Sequence, residues 1–264
     1  MGYSTRFRST GFSWSGAFPP GVKWLLIVNT AIFLLYFLLT AAGMGSLVRP
    51  FGLVPYDVLH GSVWQLFTYQ FLHDPYSMMH ILFNMLSLWM FGRTLELDWG
   101  TKRFLQYYFL CAVGAGICVV LTSLVFGGLH SMTIGASGAV YGLLLAFGMM
   151  YPRATIIFFI FPIEARWLVI IFGAWALLGS IMGGGGVSNV AHLGGMIFGY
   201  FYLKSGLMRR RTAVRGYGGG TSHRVTGLTD NVRDRYKQWK LQRAKRKFEV
   251  YLRNREKDSD KYVH

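Results

Sequence analysis

Residues 24–44 read WLLIVNTAIFLLYFLLTAAGM, twenty-one positions without a charged side chain. Crossing about 30 Å of hydrocarbon takes roughly 20 helical residues, so this run is long enough to span a bilayer. Working outward along the chain, five further apolar runs follow at about 78–92, 104–126, 137–151, 167–182 and 188–203. The run at 104–126 also meets the length easily. Those at 78–92, 137–151 and 188–203 are short, and in a bundle short helices end against other protein or at a water-filled pocket. The expected fold is an all-α polytopic membrane protein, a bundle of six transmembrane helices. Residues 45–77 carry Pro50, Pro55, Trp64, Tyr69 and Pro75. They are too polar to span and too aromatic for a plain linker, which predicts an interfacial segment.

Composition and charge agree with the spans. The chain has 264 residues, 53% of them hydrophobic and 14% charged, too few charges for a soluble domain of this size. Residues 204–264 hold 18 of the 27 Lys+Arg and 6 of the 11 Asp+Glu, so they supply +12 of the net +16. With the N-terminus placed in the cytoplasm, the inner segments carry 26 cations and the outer ones carry Arg49 alone. The positive-inside rule then puts both termini on the cytoplasmic side, which an even number of spans requires. Residues 1–20 are polar and aromatic, unlike a cleaved signal, and none is expected. The resulting division is a tail over 1–21, a transmembrane domain over 22–204 and a basic cytoplasmic tail over 205–264.

Within that basic tail, residues 212–229 are rich in Gly, Ser and Thr and read as a flexible linker. Residues 230–257 can form a basic amphipathic helix with Val232, Tyr236 and Trp239 at helical spacing. Beside so many apolar spans, such a tail is expected to lie on anionic lipid rather than to bind nucleic acid. Cys111 and Cys118 are seven residues apart on one apolar run, about 10 Å of helical rise and too far for a disulfide. They are packing residues in this reading.

Polar side chains inside the spans are costly, and they line up. His80 and Asn84 sit near the start of the second run, Ser137 opens the fourth and His192 begins the sixth. All three runs travel from outside to inside. Measured back from the next cation along each, His80 stands about 20 Å, Asn84 about 14 Å, Ser137 about 24 Å and His192 about 18 Å from the inner boundary. A lone membrane Ser is usually packing and a lone Asn is often interhelical glue, whereas an intramembrane His marks function. Three separate helices sharing one depth point to a site.

The local sequence sharpens this. The decapeptide Thr133-Ile134-Gly135-Ala136-Ser137-Gly138-Ala139-Val140-Tyr141-Gly142 sets a serine at a loop-to-helix junction among small residues. The G-x-S-x-G pattern recurs in serine hydrolases, where small neighbours permit a sharp turn and leave N–H groups accessible. At a helix N-terminus those N–H groups face incoming negative charge. Gly138-xxx-Gly142 and Gly195-xxx-Gly199 give the fourth and sixth runs small-residue faces for a close approach that can bring His192 to Ser137. Tyr141, one turn on, is placed to pack on the imidazole.

His80-xxx-Asn84, Gly135-Ala136-Ser137-Gly138 and Ala191-His192-Leu193-Gly194-Gly195 resemble, in order and spacing, the signature elements of the rhomboid proteases. Phe91-Gly92-Arg93-Thr94-Leu95-Glu96 with Trp99-Gly100 resembles the family's turn after the second span. The likeness covers roughly residues 22–203. Where the family often has Trp-Arg in its first loop, this chain has Trp64-Gln65. The resemblance implies a rhomboid-like bundle with a Ser137–His192 dyad and no acidic third member. It also implies oxyanion donors at His80, Asn84 and the Ser137 N–H, with Gly135 and Tyr141 supporting them. It implies transmembrane proteins as substrates, no cofactor and no metal, and a bacterial inner membrane as the location. The loop 127–136 and the glycine run 183–186 are expected to shape or cover the cavity. A transporter is disfavoured by the lack of intramembrane carboxylates, and metal proteolysis by the lack of H-E-x-x-H.

Overall fold

The computed structural model describes residues 18–158, 160–182 and 186–205. The tail over 206–264 and the first 17 residues lie outside them, as does most of the glycine run at 183–186. Six helices of 14 or more residues form the frame among the described residues: α1 Pro20–Ala41, α2 Met78–Trp99, α3 Thr101–Phe126, α4 Ser137–Met150, α5 Ala165–Ile181 and α6 Gly186–Lys204. Of these, α1 and α3 are long and apolar enough to cross a membrane by length and composition. The fold is mostly helical rather than wholly so. Between α4 and α5, β1 (Thr155–Phe158) and β2 (Phe161–Glu164) pair as an antiparallel hairpin, with Thr155 opposite Glu164. Six aliphatic and aromatic residues in a row over 156–161 favour a strand over a helical turn, and the all-helical expectation missed this.

The connection 45–77 folds into four short helical turns, Gly45–Phe51, Pro55–Leu59, Gln65–Thr68 and Tyr69–Phe71. Pro50 and Pro55 limit how far any of them can run. The connection is half core and half surface: Tyr69, Gln70 and His73 are fully buried, while Val63, Trp64 and Phe67 are exposed.

In the frame, α4 is the centre, touching α2, α3, α5 and α6, and α6 runs between α3, α4 and α5. Eight of the fourteen residues of α4 are buried, including Gly138, Gly142 and Gly148. A helix of that length rises about 21 Å, against about 39 Å for α3. Tyr107, near the start of α3, donates its hydroxyl proton to the Gly142 carbonyl at 2.7 Å and aligns the two helices. Gly138 lies against Ala115, eleven residues before α3 ends, so Ser137 sits about 16 Å below the rim set by Phe126.

The apolar run of the second span ends at about residue 92, and the helix that carries it, α2, continues unbroken to Trp99. Glu96 is buried on that last stretch. Its two carboxylate oxygens accept the Gly21 and Val22 N–H groups at 2.7 Å each, and Oε1 also accepts the Thr101 hydroxyl at 2.6 Å. These N–H groups are among the four that a helix start leaves unsatisfied, and the α1 dipole favours an anion there. Glu96 therefore staples the start of α1 to the α2–α3 corner.

Replacing Glu96 with Ala leaves buried donors unpaired, which costs about 1–3 kcal/mol for each group. The thermal unfolding midpoint of the purified protein in detergent should drop clearly in Glu96→Ala, while Leu97→Ala, at an exposed neighbour, should leave it nearly unchanged. Equal midpoints would remove the staple from the account.

Candidate active site

The recess at the start of α4 holds the residues singled out from the sequence. Ser137 is the first residue of α4, and His192 lies on α6. His192 Nε2 and Ser137 Oγ are 2.8 Å apart. The contact exists because α4 and α6 touch at the backbone. A Cβ built on Gly195 would collide with the carbonyl of Gly138, and no side chain could yield to relieve it. One turn before Gly195, the same face of α6 carries His192 over Ser137.

The imidazole is oriented by a ring rather than a carboxylate. Tyr141 stacks on His192 with centroids 4.1 Å apart and planes within 4°. Phe172 of α5 meets the same Tyr141 edge-on at 5.9 Å. The other imidazole nitrogen, Nδ1, is buried with no hydrogen-bond partner among the described residues. Among the described residues no aspartate or glutamate hydrogen-bonds to it.

His80 reaches the same recess from α2. Its Nδ1 accepts the Asp74 N–H at 3.3 Å, so in the neutral ring the proton sits on Nε2. That tautomer is inferred from the hydrogen bond rather than observed. Nε2 lies against Gly135, where an added Cβ would be 2.7 Å away. Gly135 has φ +117°, a backbone conformation that other residues adopt only with strain, and its N–H donates to the Tyr69 carbonyl at 3.0 Å. The turn into Ser137 thus needs glycine twice over, for its dihedral angle and for room for His80. Asn84 donates one amide N–H to the His80 carbonyl, one turn back, at 2.8 Å and keeps its second for another acceptor.

Three supports went unread in the sequence. Gln65, at the place where Trp-Arg is common in rhomboids, is buried and braces the connection: its Oε1 accepts the Val54 N–H at 2.9 Å and its Nε2 donates to the Pro50 carbonyl at 3.3 Å. Leu53 next to it exchanges both backbone hydrogen bonds with Thr133, at 3.0 and 2.8 Å. The connection 45–77 is thereby clamped to the loop that carries Gly135. His73, fully buried, tilts against His80 with centroids 5.2 Å apart. Burial, with the His80 ring second, pushes its imidazole down to about 3, so it packs as a neutral ring. The Trp64-Gln65 pair drew notice without suggesting these bonds, and His73 carried no motif signal.

A half-buried serine at the start of a short central helix lies within hydrogen-bond distance of a half-buried imidazole. The rhomboid domain model matches residues 60–209, more than half of the chain, and the chain belongs to the rhomboid family. This is an integral membrane family whose members are generally intramembrane serine proteases, although some relatives are inactive. The chain is 32% identical over 126 residues to Rhomboid protein 1, mitochondrial, of Saccharomyces cerevisiae, covering 47% of this chain and 36% of that protein. It is 33% identical over 144 residues to Rhomboid protease GluP of Bacillus subtilis, covering 54% and 26%. To Rhomboid protease GlpG of Salmonella paratyphi A it is 31% identical over 157 residues, covering 55% and 49%. The chain thus matches between about a quarter and a half of the length of these three relatives. They include bacterial and mitochondrial proteins, and the family is one of integral membrane proteins.

Forcing a side chain between α4 and α6 tests the geometry. Overpacking of this kind costs about 1–3 kcal/mol. Gly195→Ala should therefore lower the unfolding midpoint, whereas Ile197→Ala, exposed two residues on, should change stability by no more than about 0.5 kcal/mol. A Gly195→Ala protein as stable as the parent would mean that the two backbones do not meet there.

Proposed function

We propose that this chain is a serine endopeptidase that hydrolyses peptide bonds in or near the transmembrane helices of membrane-protein substrates. The observation that carries the reading is the 2.8 Å approach of His192 Nε2 to Ser137 Oγ at the bottom of the recess. In this mechanism His192 takes the hydroxyl proton as Oγ attacks the scissile carbonyl, and returns it to the leaving amine. An acyl-enzyme remains. Water, deprotonated by the same imidazole, then releases it and restores Ser137. For Nε2 to accept, the imidazole proton must sit on Nδ1. With no carboxylate there, the Tyr141 stack takes over the task of holding the ring.

The negative charge that develops on the carbonyl oxygen needs donors already in place. The Ser137 N–H heads α4, where helical N–H groups have no partner four residues back. His80 Nε2–H and the free Asn84 N–H complete the proposed set. The recess also accounts for water, since a reaction about 16 Å below the α3 rim needs a polar channel open at that end.

In the same proposal all six helices cross the bilayer as the domain 22–204, with both termini in the cytoplasm and the recess open on the outer side. A bacterial inner membrane fits this arrangement. In the same reading the basic tail over 205–264 binds anionic lipid and plays no part in catalysis.

Ser137→Ala and His192→Ala should each abolish cleavage of a model transmembrane substrate while the protein still purifies with a normal unfolding midpoint. Proteolysis surviving in either one refutes the dyad. Loss of a single oxyanion donor slows turnover by about 10²–10³ where the others do not compensate. His80→Ala and Asn84→Ala should therefore be slow, and the pair together slower. Wild-type rates in all three would take these residues out of the mechanism.

A further inference from the structure

Two cavities away from the candidate site meet at Tyr36. The larger, of about 580 Å³, lies at the C-terminal end of α1 and is lined by Thr40, Ser46, Arg49, Tyr76, His130 and Met132 along with Tyr36. The second, of about 290 Å³, runs along α1 and is lined by Ile32, Leu35, Leu39, Leu47, Phe51 and Leu72. From Thr40 to Ile32 is eight residues, so the polar chamber and the far end of the apolar groove are about 12 Å apart along the helix axis. The helical turn Gly45–Phe51 walls both, with Arg49 in the upper chamber and Leu47 and Phe51 in the lower groove.

Arg49 gives the upper chamber its character. Its guanidinium makes neither an ion pair nor a side-chain hydrogen bond among the described residues. Asp74, two residues before Tyr76, makes no ion pair with Arg49 among the described residues, and its Oδ1 accepts the Tyr76 N–H at 2.9 Å. The carbonyls at the end of α1, which would oppose an anion, are partly satisfied, since Leu38, Leu39 and Thr40 accept from Ala42, Met44 and Gly43. A guanidinium with free donors matches phosphate oxygens in pairs. Tyr36 and Tyr76 beside it are the aromatic type that sits at headgroup level.

We propose that the two cavities, which share Tyr36 as a wall, bind one phospholipid with a net-negative headgroup, its phosphate against Arg49 and an acyl chain in the groove along α1. Exposed apolar surface alone would accept any lipid. The unpaired cation directly above one groove is what selects this one, because a zwitterionic headgroup brings its own cation to the chamber. The site reaches the recess through the backbone. His130 and Met132 line the chamber, and Thr133, next along, is clamped to Leu53 four residues before Ser137. A bound lipid therefore holds the connection 45–77 and the loop 127–136 as one piece.

The experiment uses the full chain in detergent micelles and a phosphatidylglycerol carrying a photoactivatable group on one acyl chain, with cross-linked peptides mapped by mass spectrometry. Bound lipid is the readout, so the result stands apart from whether Ser137 is reactive, and mapping to residues 32–51 separates this site from the basic tail. Labelling of 32–51 should be competed by unlabelled phosphatidylglycerol but not by phosphatidylcholine or free glycerol phosphate. Losing one charge-assisted contact is worth about ten-fold or more in affinity, so labelling there should fall by that factor in Arg49→Gln. Leu39→Trp, which fills the groove without touching the charge, should reduce it similarly. Undiminished labelling in both variants, or equal competition by phosphatidylcholine, overturns the proposal. Displacement by glycerol phosphate as effective as by the lipid also overturns it, in favour of a site for a soluble phosphate.

Discussion

The backbone contact between α4 and α6 is the constraint on which the site depends. Gly195 meets the Gly138 carbonyl with no room for a Cβ; His192 lies one turn before Gly195 and Ser137 is the residue before Gly138. In a hydrocarbon environment, packing rather than the hydrophobic effect must drive helices together, and small residues permit the closest packing. The Gly142 side of α4 repeats the device toward α3, where Tyr107 closes on the Gly142 carbonyl. A short central helix held on several sides this way has little freedom to tilt. Its first residue is then fixed in space well enough for a 2.8 Å contact to persist without a third, acidic partner.

The rest of the frame serves to keep that point recessed yet reachable. α3 outruns α4 at the recess end, and the chain returns to Ser137 through the loop 127–136. That loop is pinned at three places, by the Leu53–Thr133 pair, by Tyr56 N–H to the Leu129 carbonyl and by Gly135 N–H to the Tyr69 carbonyl. Tyr69 in turn donates its hydroxyl proton to the Ala112 carbonyl at 2.7 Å, so the pin is anchored in α3. At the other end, Glu96 ties α1 to the α2–α3 corner through three hydrogen bonds. Fixed polar contacts therefore bracket a core that is otherwise apolar.

What the sequence made legible were candidate site residues, because costly residue types inside apolar runs stand out one by one. Ser137, His192, His80 and Asn84 were each visible for that reason, and Gly138 and Gly195 for their spacing. The structure pairs His192 with Ser137 and Gly195 with Gly138, and sets His80 against Gly135 with Asn84 one turn further along α2. Tyr141 stacked on His192 follows from its position one turn after Ser137. What stayed hidden were contacts between a side chain and a distant backbone. Glu96 pairs with residues 74 and 75 positions earlier, and no periodicity signals that. The apolar run of the second span stops before Arg93 while α2 runs on to Trp99, because a cation on a helix does not mark where the helix stops. Gln65 shows the same limit: a different residue from the one common in the family serves as a brace, and only the bonds to Val54 and Pro50 reveal it.

The central claim is that Ser137 is a nucleophile made reactive by His192 and by that backbone contact. A fluorophosphonate probe reacts with an activated serine and spares ordinary ones. Incubating the purified chain with the probe and mapping the adduct by mass spectrometry tests the claim without knowledge of any substrate. The account predicts a single modified serine at Ser137, and its loss in both His192→Ala and Gly195→Val. An unlabelled Ser137 in folded wild-type protein, or labelling that persists after His192 is removed, would contradict it.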